Sequence, residues 1–166
     1  TEIGIPKTDD FNQGDNEGCG YFQVNQNKGV RWTSAKGFLR PIMARSNLTV
    51  LTESQATSLM LKGKHCTGVS IIRKGRPARA QAGREVILAG GSIGSPQLLQ
   101  LSGIGPVNHL KDLGIKVNHD LLGVGENLQD HLQIRAVYKV KNTKTLNERA
   151  NTLVGKIGIG LEYFLF

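Results

Sequence analysis

The stretch that most constrains the fold joins an apolar run to a leucine-spaced segment through a cluster of small residues. Residues 84–105 read REVILAGGSIGSPQLLQLSGIG. The run at residues 85–89 does not alternate polar and apolar side chains, which predicts a strand covered on both faces, as in a parallel α/β sheet. Ser95 is a good helix cap and Pro96 a good first helical residue, so a helix is predicted from Pro96 to about Ser102.

The turn between this strand and this helix has almost no side chains, because it consists of Ala89, Gly90, Gly91 and Ser92. The carboxyl end of a strand beside a helix N-terminus is a crevice in which α/β sheets bind ligands. Small residues let a flat or phosphorylated ligand reach the backbone, and free helical N–H groups favour an exposed phosphate by about 0.3–1 kcal/mol. The residues fit two interpretations equally well: a nucleotide cofactor binds there, or the helix packs closely on the strand without a ligand.

Three segments before the apolar run predict an antiparallel β-meander. They cover residues 55–61, 66–73 and 76–82, and turns at Gly63 and Gly75 separate them. The elements predicted elsewhere are a short helix capped by Thr33 or Ser34, a strand at residues 48–52, a helix from Pro106 to Gly114, a strand at residues 115–117, a strand at residues 134–140 and a helix that starts near Thr145.

The charge pattern does not favour nucleic acid as a partner. At 166 residues the chain is long enough for one domain with one good core, and its net charge is +8. No aromatic residue interleaves with the basic cluster, so a solvated basic face is favoured over a nucleic-acid surface. The cluster consists of Lys62, Lys64, Arg73, Lys74, Arg76, Arg79 and Arg84.

Metal sites and membrane spans are not predicted either. Cys19 and Cys66 lie far apart, and only His65 is adjacent to either, so the ligands for a metal site are lacking. The apolar stretch at residues 153–166 carries charges and is shorter than a spanning helix.

The stronger dinucleotide fingerprints are not found in the chain. Four Gly-x-Gly pairs occur, but none continues as GxGxxG, and there is no GxxxxGK[ST]. If a dinucleotide binds, its main phosphate loop is therefore expected outside these residues. The chain starts at Thr1 without a leader and ends at Phe166 within an apolar pattern, so we expect an interior fragment of a longer protein.

Residues 91–105 resemble the second signature of the GMC (glucose–methanol–choline) oxidoreductases position for position. The resemblance continues in residues 31–35, 38–41, 47–52, 85–88 and 124–131, and so covers nearly the whole chain. The sequences of residues 9–12 and 38–40 are most similar to those of the insect glucose dehydrogenase-like branch. Membership of that branch would imply secretion, and the sequence does not otherwise indicate a cellular compartment.

The resemblance implies an α/β fold and a flavoenzyme. Residues 1–30 would be an extended loop region, residues 31–133 a segment of an FAD-binding Rossmann-like domain with an antiparallel β-meander, and residues 134–166 the start of an α+β substrate-binding domain. The enzyme would oxidise a CH–OH group of an alcohol or sugar by hydride transfer to the flavin, with a quinone-like acceptor or oxygen as electron acceptor. The alternatives are a lyase of the hydroxynitrile lyase type, which keeps FAD without redox use, and a non-catalytic basic binding module.

The resemblance also implies which residues contact the cofactor. Ala89, Gly90, Gly91 and Ser92 would line the FAD crevice, and Ala56 would contact the adenine, largely through its backbone. The family usually has Val at the position of Ala56, so the side-chain contact would be weaker.

No catalytic residue is assigned in this chain. The family's GxGxxG loop would precede Thr1, and its catalytic His would follow Phe166. His131, beside Asp130, is interpreted as a hydrogen-bonded loop residue rather than a base, and Asn127 and Asp130 as residues that satisfy backbone groups in a tight turn. The other histidines, His65, His109 and His119, are interpreted as surface residues.

Overall fold

A computed structural model describes residues 4–165 of the chain. Val50–Val137 forms one compact unit, and residues 4–49 together with residues 138–165 form another. In chain order the strands are β1 (Gln26–Asn27), β2 (Val30–Arg31), β3 (Ser54–Lys62), β4 (His65–Arg73), β5 (Arg76–Gln81), β6 (Ile104–Gly105) and β7 (His119–Asp120). The α-helices are α1 (Gly91–Leu101), α2 (Val107–Asp112), α3 (Leu146–Ala150) and α4 (Leu153–Leu165).

The predicted meander is confirmed, because β3, β4 and β5 form a three-stranded antiparallel sheet in that order. β4 and β5 pair up to Arg73 opposite Arg76, which leaves Lys74 and Gly75 as a two-residue connection. Both residues have positive φ, +49° and +75°, as a type I′ hairpin turn requires. The turn chemistry of the sequence therefore fixes the register of this hairpin.

The predicted strand at residues 85–89 is not found, and neither is the strand at residues 48–52. Val86 and Leu88 are half-buried, whereas Ile87 is 78% exposed, so the prediction that this run is covered on both faces was wrong. The physical reason is that a buried parallel strand needs pairing partners on both sides, and the residues that the structure describes supply none here. Residues 85–89 alone cannot form the hydrogen bonds to neighbouring strands that a buried strand requires.

Helix α1 begins five residues before the predicted start. Gly90 occupies the N-cap position and Gly91 is the first helical residue. Ser95 lies inside the helix, where its Oγ accepts a hydrogen bond from the Gly90 N–H at 2.9 Å. The prediction that Ser95 caps the helix and Pro96 begins it was therefore wrong, because the hydroxyl satisfies the Gly90 donor from within the helix.

The second predicted helix is confirmed as α2, with Pro106 at its N-cap and Gly114 at φ +69° just beyond its end. The strand predicted at residues 115–117 is not found, and the short strand β7, which pairs in parallel with β6, begins only at His119. Leu110 of α2 is fully buried, and Val124 is the other buried apolar residue in the described part of the chain. The single good core expected from chain length is thus not found in these residues.

The unit formed by residues 4–49 and 138–165 has short elements. β1 and β2 pair as a small hairpin, and helical turns at Ala35–Leu39 and Arg40–Ile42 occupy the place of the predicted short helix. The Thr33 Oγ1 accepts the Lys36 N–H at 3.3 Å, as predicted for a cap. The Tyr163 hydroxyl donates to the Gly29 carbonyl at 2.5 Å, which ties α4 to the β1–β2 turn.

The helix predicted near Thr145 is confirmed as α3. Thr145 and Glu148 form a reciprocal capping box, in which the Glu148 N–H donates to Thr145 Oγ1 at 3.3 Å and the Thr145 N–H to Glu148 Oε2 at 3.1 Å. The strand predicted at residues 134–140 is absent, because this segment has no pairing partner among the described residues. Within residues 4–165, no helix has both the length and the apolar character needed to cross a bilayer.

Candidate cofactor site

The start of α1 is an open corner, in which Ala89 and Gly90 precede the helix and Gly91 and Ser92 are its first two residues, all four of them exposed. At Gly90 the surrounding backbone favours a small residue, because an added Cβ would lie 3.2 Å from the Gly94 carbonyl carbon and from the Ser95 nitrogen. At Gly91 the backbone requires glycine, since φ is +80°, but an added Cβ would meet no atom within 4 Å.

Gly94, one turn into α1, provides the most informative gap. An added Cβ there would meet nothing within 4 Å, and its φ does not lie in the left-handed region. Neither packing nor backbone geometry therefore requires glycine at this position, although glycine costs about 0.5–1 kcal/mol relative to Ala inside a helix. Gly91 is exposed and Gly94 is half-buried, and neither has a side chain that would cover the backbone at the start of α1.

A groove of about 730 Å³ runs along α1 beside this corner. Ser92 is the predicted site residue that lines it. The loop on the opposite side is held by Gln100, whose Nε2 donates to the Val124 carbonyl at 3.1 Å. The other lining residues are Ile93, Pro96, Gln97, Gln100, Pro106, His109, Gly125, Glu126, Asn127, Leu128 and Gln129.

Sequence reasoning missed most of this groove. His109 was interpreted as a surface residue and is exposed, yet it lines the groove together with Gln97 and Gln100 of α1. The segment at residues 124–131, which resembles the family, could have identified the side of the groove opposite α1. From the sequence, this segment was interpreted as a structural turn. Glutamines on a helix give no comparable signal, because their spacing is also that of a solvated face.

Ala56 lies apart from the corner, on strand β3. It is half-buried and pairs with Ile71 of β4. A register shift separates Ala56 from Ser58, so the strand is irregular at this position. Helix α1, which begins at Gly91, packs against β3, the strand that contains Ala56. Ala56 itself does not line the groove.

Ser102 joins α1 to β3 just beyond the helix end. Its hydroxyl accepts the Leu59 N–H at 2.7 Å and donates to the Leu98 carbonyl at 2.6 Å. The next residue, Gly103, has φ +77°, and an added Cβ would collide with the carbonyl oxygen of Lys116. The segment after α1 is therefore tightly fixed against its neighbours.

In the loop at residues 127–131 the predicted side-chain-to-backbone hydrogen bond is found for Asp130, and that of Asn127 stays a prediction. Asn127 adopts a left-handed backbone with φ +58°. Asp130 Oδ1 accepts the His131 N–H at 2.8 Å, a local side-chain-to-backbone bond. In the part of the chain that the structure describes, no group of three or more His, Cys, Asp or Glu side chains is placed to hold a metal ion.

Among the charged residues outside the groove, one exposed pair is of like charge and another is a salt bridge. Arg73 and Arg76 face each other across β4 and β5 and are exposed. In the loop region, the hydrogen bond from Lys7 to Asp9 and the charge of that carboxylate raise the pKa of Lys7. Both residues are largely exposed, so such a pair contributes little to stability.

The sequence matches known proteins over almost its full length. It is 44% identical over 164 residues to the oxygen-dependent choline dehydrogenase of Photobacterium profundum, covering 99% of this chain and 29% of that protein. It is 41% identical over 162 residues to the mitochondrial choline dehydrogenase of Homo sapiens, covering 98% and 27%. It is also 39% identical over 167 residues to an alcohol dehydrogenase [acceptor] of Pseudomonas putida, covering 99% and 30%.

Solved structures match the same fold. Pyridoxine 4-oxidase from Mesorbium loti aligns with a TM-score of 0.65 and 32% identity, over 72% of this chain and 23% of that chain. An FAD-dependent oxidoreductase from Chaetomium thermophilum aligns with a TM-score of 0.59 and 37% identity, over 62% and 18%. These matches confirm the predicted α/β fold class. The placement within the insect branch stays a prediction.

The chain spans less than a third of the length of these curated relatives. The profile of the GMC oxidoreductases matches residues 1–133 of its 166 residues. The chain therefore belongs to the GMC oxidoreductase family.

Proposed function

We propose that this chain is part of a longer FAD-dependent oxidoreductase that oxidises a CH–OH group of a small alcohol or sugar. The observation that carries the proposal is the exposed, side-chain-poor corner of Ala89, Gly90, Gly91 and Ser92, of which Ser92 lines the groove. The volume of about 730 Å³ falls within the range typical of small-molecule and cofactor sites. Because the chain belongs to a family of flavoenzymes, we propose FAD as the ligand of this corner.

The residues present fit one part of an FAD molecule. Ala89, Gly90, Gly91 and Ser92 would hold it against the main chain, and the N–H groups at the start of α1 favour its phosphates. The backbone of Ala56 would contact the adenine. When bound, FAD supplies the acceptor for the hydride of the alcohol.

This chain's own contribution is to bind and orient the cofactor. We assign it no catalytic residue, and we place the proton-accepting base of the family and the main phosphate loop in the remainder of the longer protein. We also propose the domain boundaries expected from the sequence, with residues 31–133 in the FAD-binding domain and residues 134–166 at the start of the substrate-binding domain.

The relatives' names support the proposed substrate class. Choline dehydrogenases and an alcohol dehydrogenase [acceptor] are among the matches, which supports a small alcohol as the substrate class. We propose a quinone-like acceptor or oxygen for the electrons, and a sugar as the second substrate class.

Anaerobic titration of the longer protein with an alcohol tests the proposal. The purified protein is expected to show the two visible absorbance bands of oxidised flavin, and these bands are expected to bleach when choline, a primary alcohol or glucose is added without oxygen. Admitting oxygen or adding a soluble quinone should restore the bands. A yellow protein that no alcohol bleaches would indicate the lyase alternative, and a colourless protein would contradict FAD binding.

The 166 residues alone provide a second test of the same proposal. They lack the phosphate loop expected elsewhere, so we expect them to bind FAD weakly or not at all and to turn over no alcohol. Tight FAD binding by this chain alone, measured by quenching of flavin fluorescence, would show that the phosphate site lies within it.

A further inference from the structure

Ser102 is a buried polar residue at which three segments of the Val50–Val137 unit meet. It is 5% exposed. Its hydroxyl donates to the Leu98 carbonyl of α1 at 2.6 Å and accepts the Leu59 N–H of β3 at 2.7 Å. Its backbone carbonyl accepts a hydrogen bond from Asn118 Nδ2 at 2.8 Å. We refer to Ser102 and these three partners as the Ser102 junction.

The hydroxyl is the direct polar link between the helix and the sheet. The Leu59 N–H donates to it, so loss of the hydroxyl removes an acceptor from a half-buried backbone donor. The Leu98 carbonyl is less dependent on Ser102 Oγ, because it also accepts the Ser102 N–H at 3.1 Å. The energetic consequence of removing the hydroxyl therefore falls on the contact between α1 and β3.

We propose that Ser102 is a positioning residue for the cofactor. Ser102 fixes the distance and angle between helix α1 and strand β3, the two elements that contact FAD in the proposed function. This inference rests on the proposed function, in which Ala56 of β3 and Gly91 of α1 touch the same FAD molecule. Ala56 precedes Leu59 by three residues on the strand. The other contact is at the far end of the helix from the junction.

The length of the helix amplifies small changes at the junction. Ser102 lies eleven positions after Gly91, which corresponds to about 16 Å at 1.5 Å per residue. A tilt of about 5° at Ser102 would move the N-terminus of the helix by about 1.4 Å over this length. Displacements of about 1 Å are enough to weaken a preorganised binding site.

The test compares Ser102→Ala with a matched variant in the longer protein. Thr67→Ala is the control, because Thr67 Oγ1 donates to the Met60 carbonyl at 3.1 Å within the sheet and does not link β3 to α1, although Thr67 is half-buried and Ser102 is buried. The FAD dissociation constant is measured by flavin fluorescence, and the melting temperature of each protein is measured without added FAD. We expect Ser102→Ala to raise the dissociation constant about tenfold, and Thr67→Ala to change it less than about twofold, at comparable losses of melting temperature.

Two further measurements keep the inference testable if Ser102→Ala does not fold. Ser102→Cys replaces the hydroxyl by a larger and more weakly hydrogen-bonding thiol, and we expect it to raise the dissociation constant about threefold. Amide exchange in residues 54–62 should be faster in the Ser102 variants than in the wild type, and unchanged near Leu59 in Thr67→Ala.

Each outcome bears on the inference in one direction. Equal FAD affinities for the Ser102 and Thr67 variants would overturn the positioning role while leaving the proposed function intact, because the wild type still binds FAD. A wild-type protein that does not bind FAD would overturn both. A selective loss of affinity in the Ser102 variants, together with faster exchange at Leu59, supports the inference.

Discussion

The Gly90 N–H donates a hydrogen bond to the Ser95 hydroxyl at 2.9 Å, across the first turn of α1. The side chain that caps the corner therefore comes from within the helix, and the cap position itself is left without a side chain. This arrangement satisfies an N-terminal donor while keeping the corner of Gly90 and Gly91 open.

Removing the Ser95 hydroxyl tests this arrangement. We expect Ser95→Ala to lower the free energy of unfolding by about 0.5–2 kcal/mol, because it removes the side-chain partner of a helix N-terminal N–H. Ser95→Thr keeps the hydroxyl and should recover most of the loss. Gln97→Ala on the same helix is the control, since substitution of an exposed residue should change stability by less than about 0.5 kcal/mol. Equal effects of Ser95→Ala and Gln97→Ala in urea unfolding would contradict the account.

Alanine substitutions at two glycines distinguish destabilisation by backbone strain from destabilisation by steric collision. Gly103 and Gly114 have similar left-handed φ values, +77° and +69°, but an added Cβ would collide with the Lys116 carbonyl only at Gly103. Gly114→Ala is expected to cost about 1–2 kcal/mol for the left-handed backbone. Gly103→Ala is expected to cost about 2–5 kcal/mol, because overpacking adds to the same strain.

Urea unfolding of both glycine variants measures the difference. If the two substitutions destabilise equally, the close approach of residues 103 and 116 does not exist in solution. If Gly114→Ala is the more destabilising of the two, the assignment of the collision is wrong.

The capping box of α3 predicts a rescue. Thr145→Ala removes the acceptor of the Glu148 N–H and should lower the free energy of unfolding by about 0.5–2 kcal/mol. Thr145→Ser keeps the oxygen and should remain within about 0.5 kcal/mol of the wild type. Far-ultraviolet circular dichroism and thermal melting measure both variants, and an unaltered Thr145→Ala protein would show that this cap does not stabilise the helix.

Local signals in the sequence predicted the elements that depend on local chemistry. The meander was predicted from three segments separated by Gly63 and Gly75, and α3 begins with the local capping box of Thr145 and Glu148, so both depend on their own residues. The strand at residues 85–89 depends on partners that its own sequence does not contain. The same reason explains residues 134–140, where alternation is present but pairing is not.

The candidate site was predicted in part for the same reason. The corner from Ala89 to Ser92 is continuous in sequence, and its lack of side chains is visible in the letters. The groove beside it is assembled from α1, the start of α2 and the loop at residues 125–129, which only the tertiary structure brings together. The start of α1 was misplaced because Ser95-Pro96 has the composition of a helix start, whereas the hydroxyl reaches back to an earlier donor.

Filling the groove at Ser92 measures the central claim most directly. Ser92 is exposed and lines the groove, so Ser92→Phe places a ring in the cofactor space without disturbing a core. Leu101→Phe is the control, since Leu101 is on the same helix, is 51% exposed and does not line the groove. In the longer protein we expect Ser92→Phe to weaken FAD binding by about tenfold or more, measured by flavin fluorescence, while Leu101→Phe binds like the wild type. A Ser92→Phe protein that retains wild-type FAD affinity would contradict the claim that FAD lies against this corner.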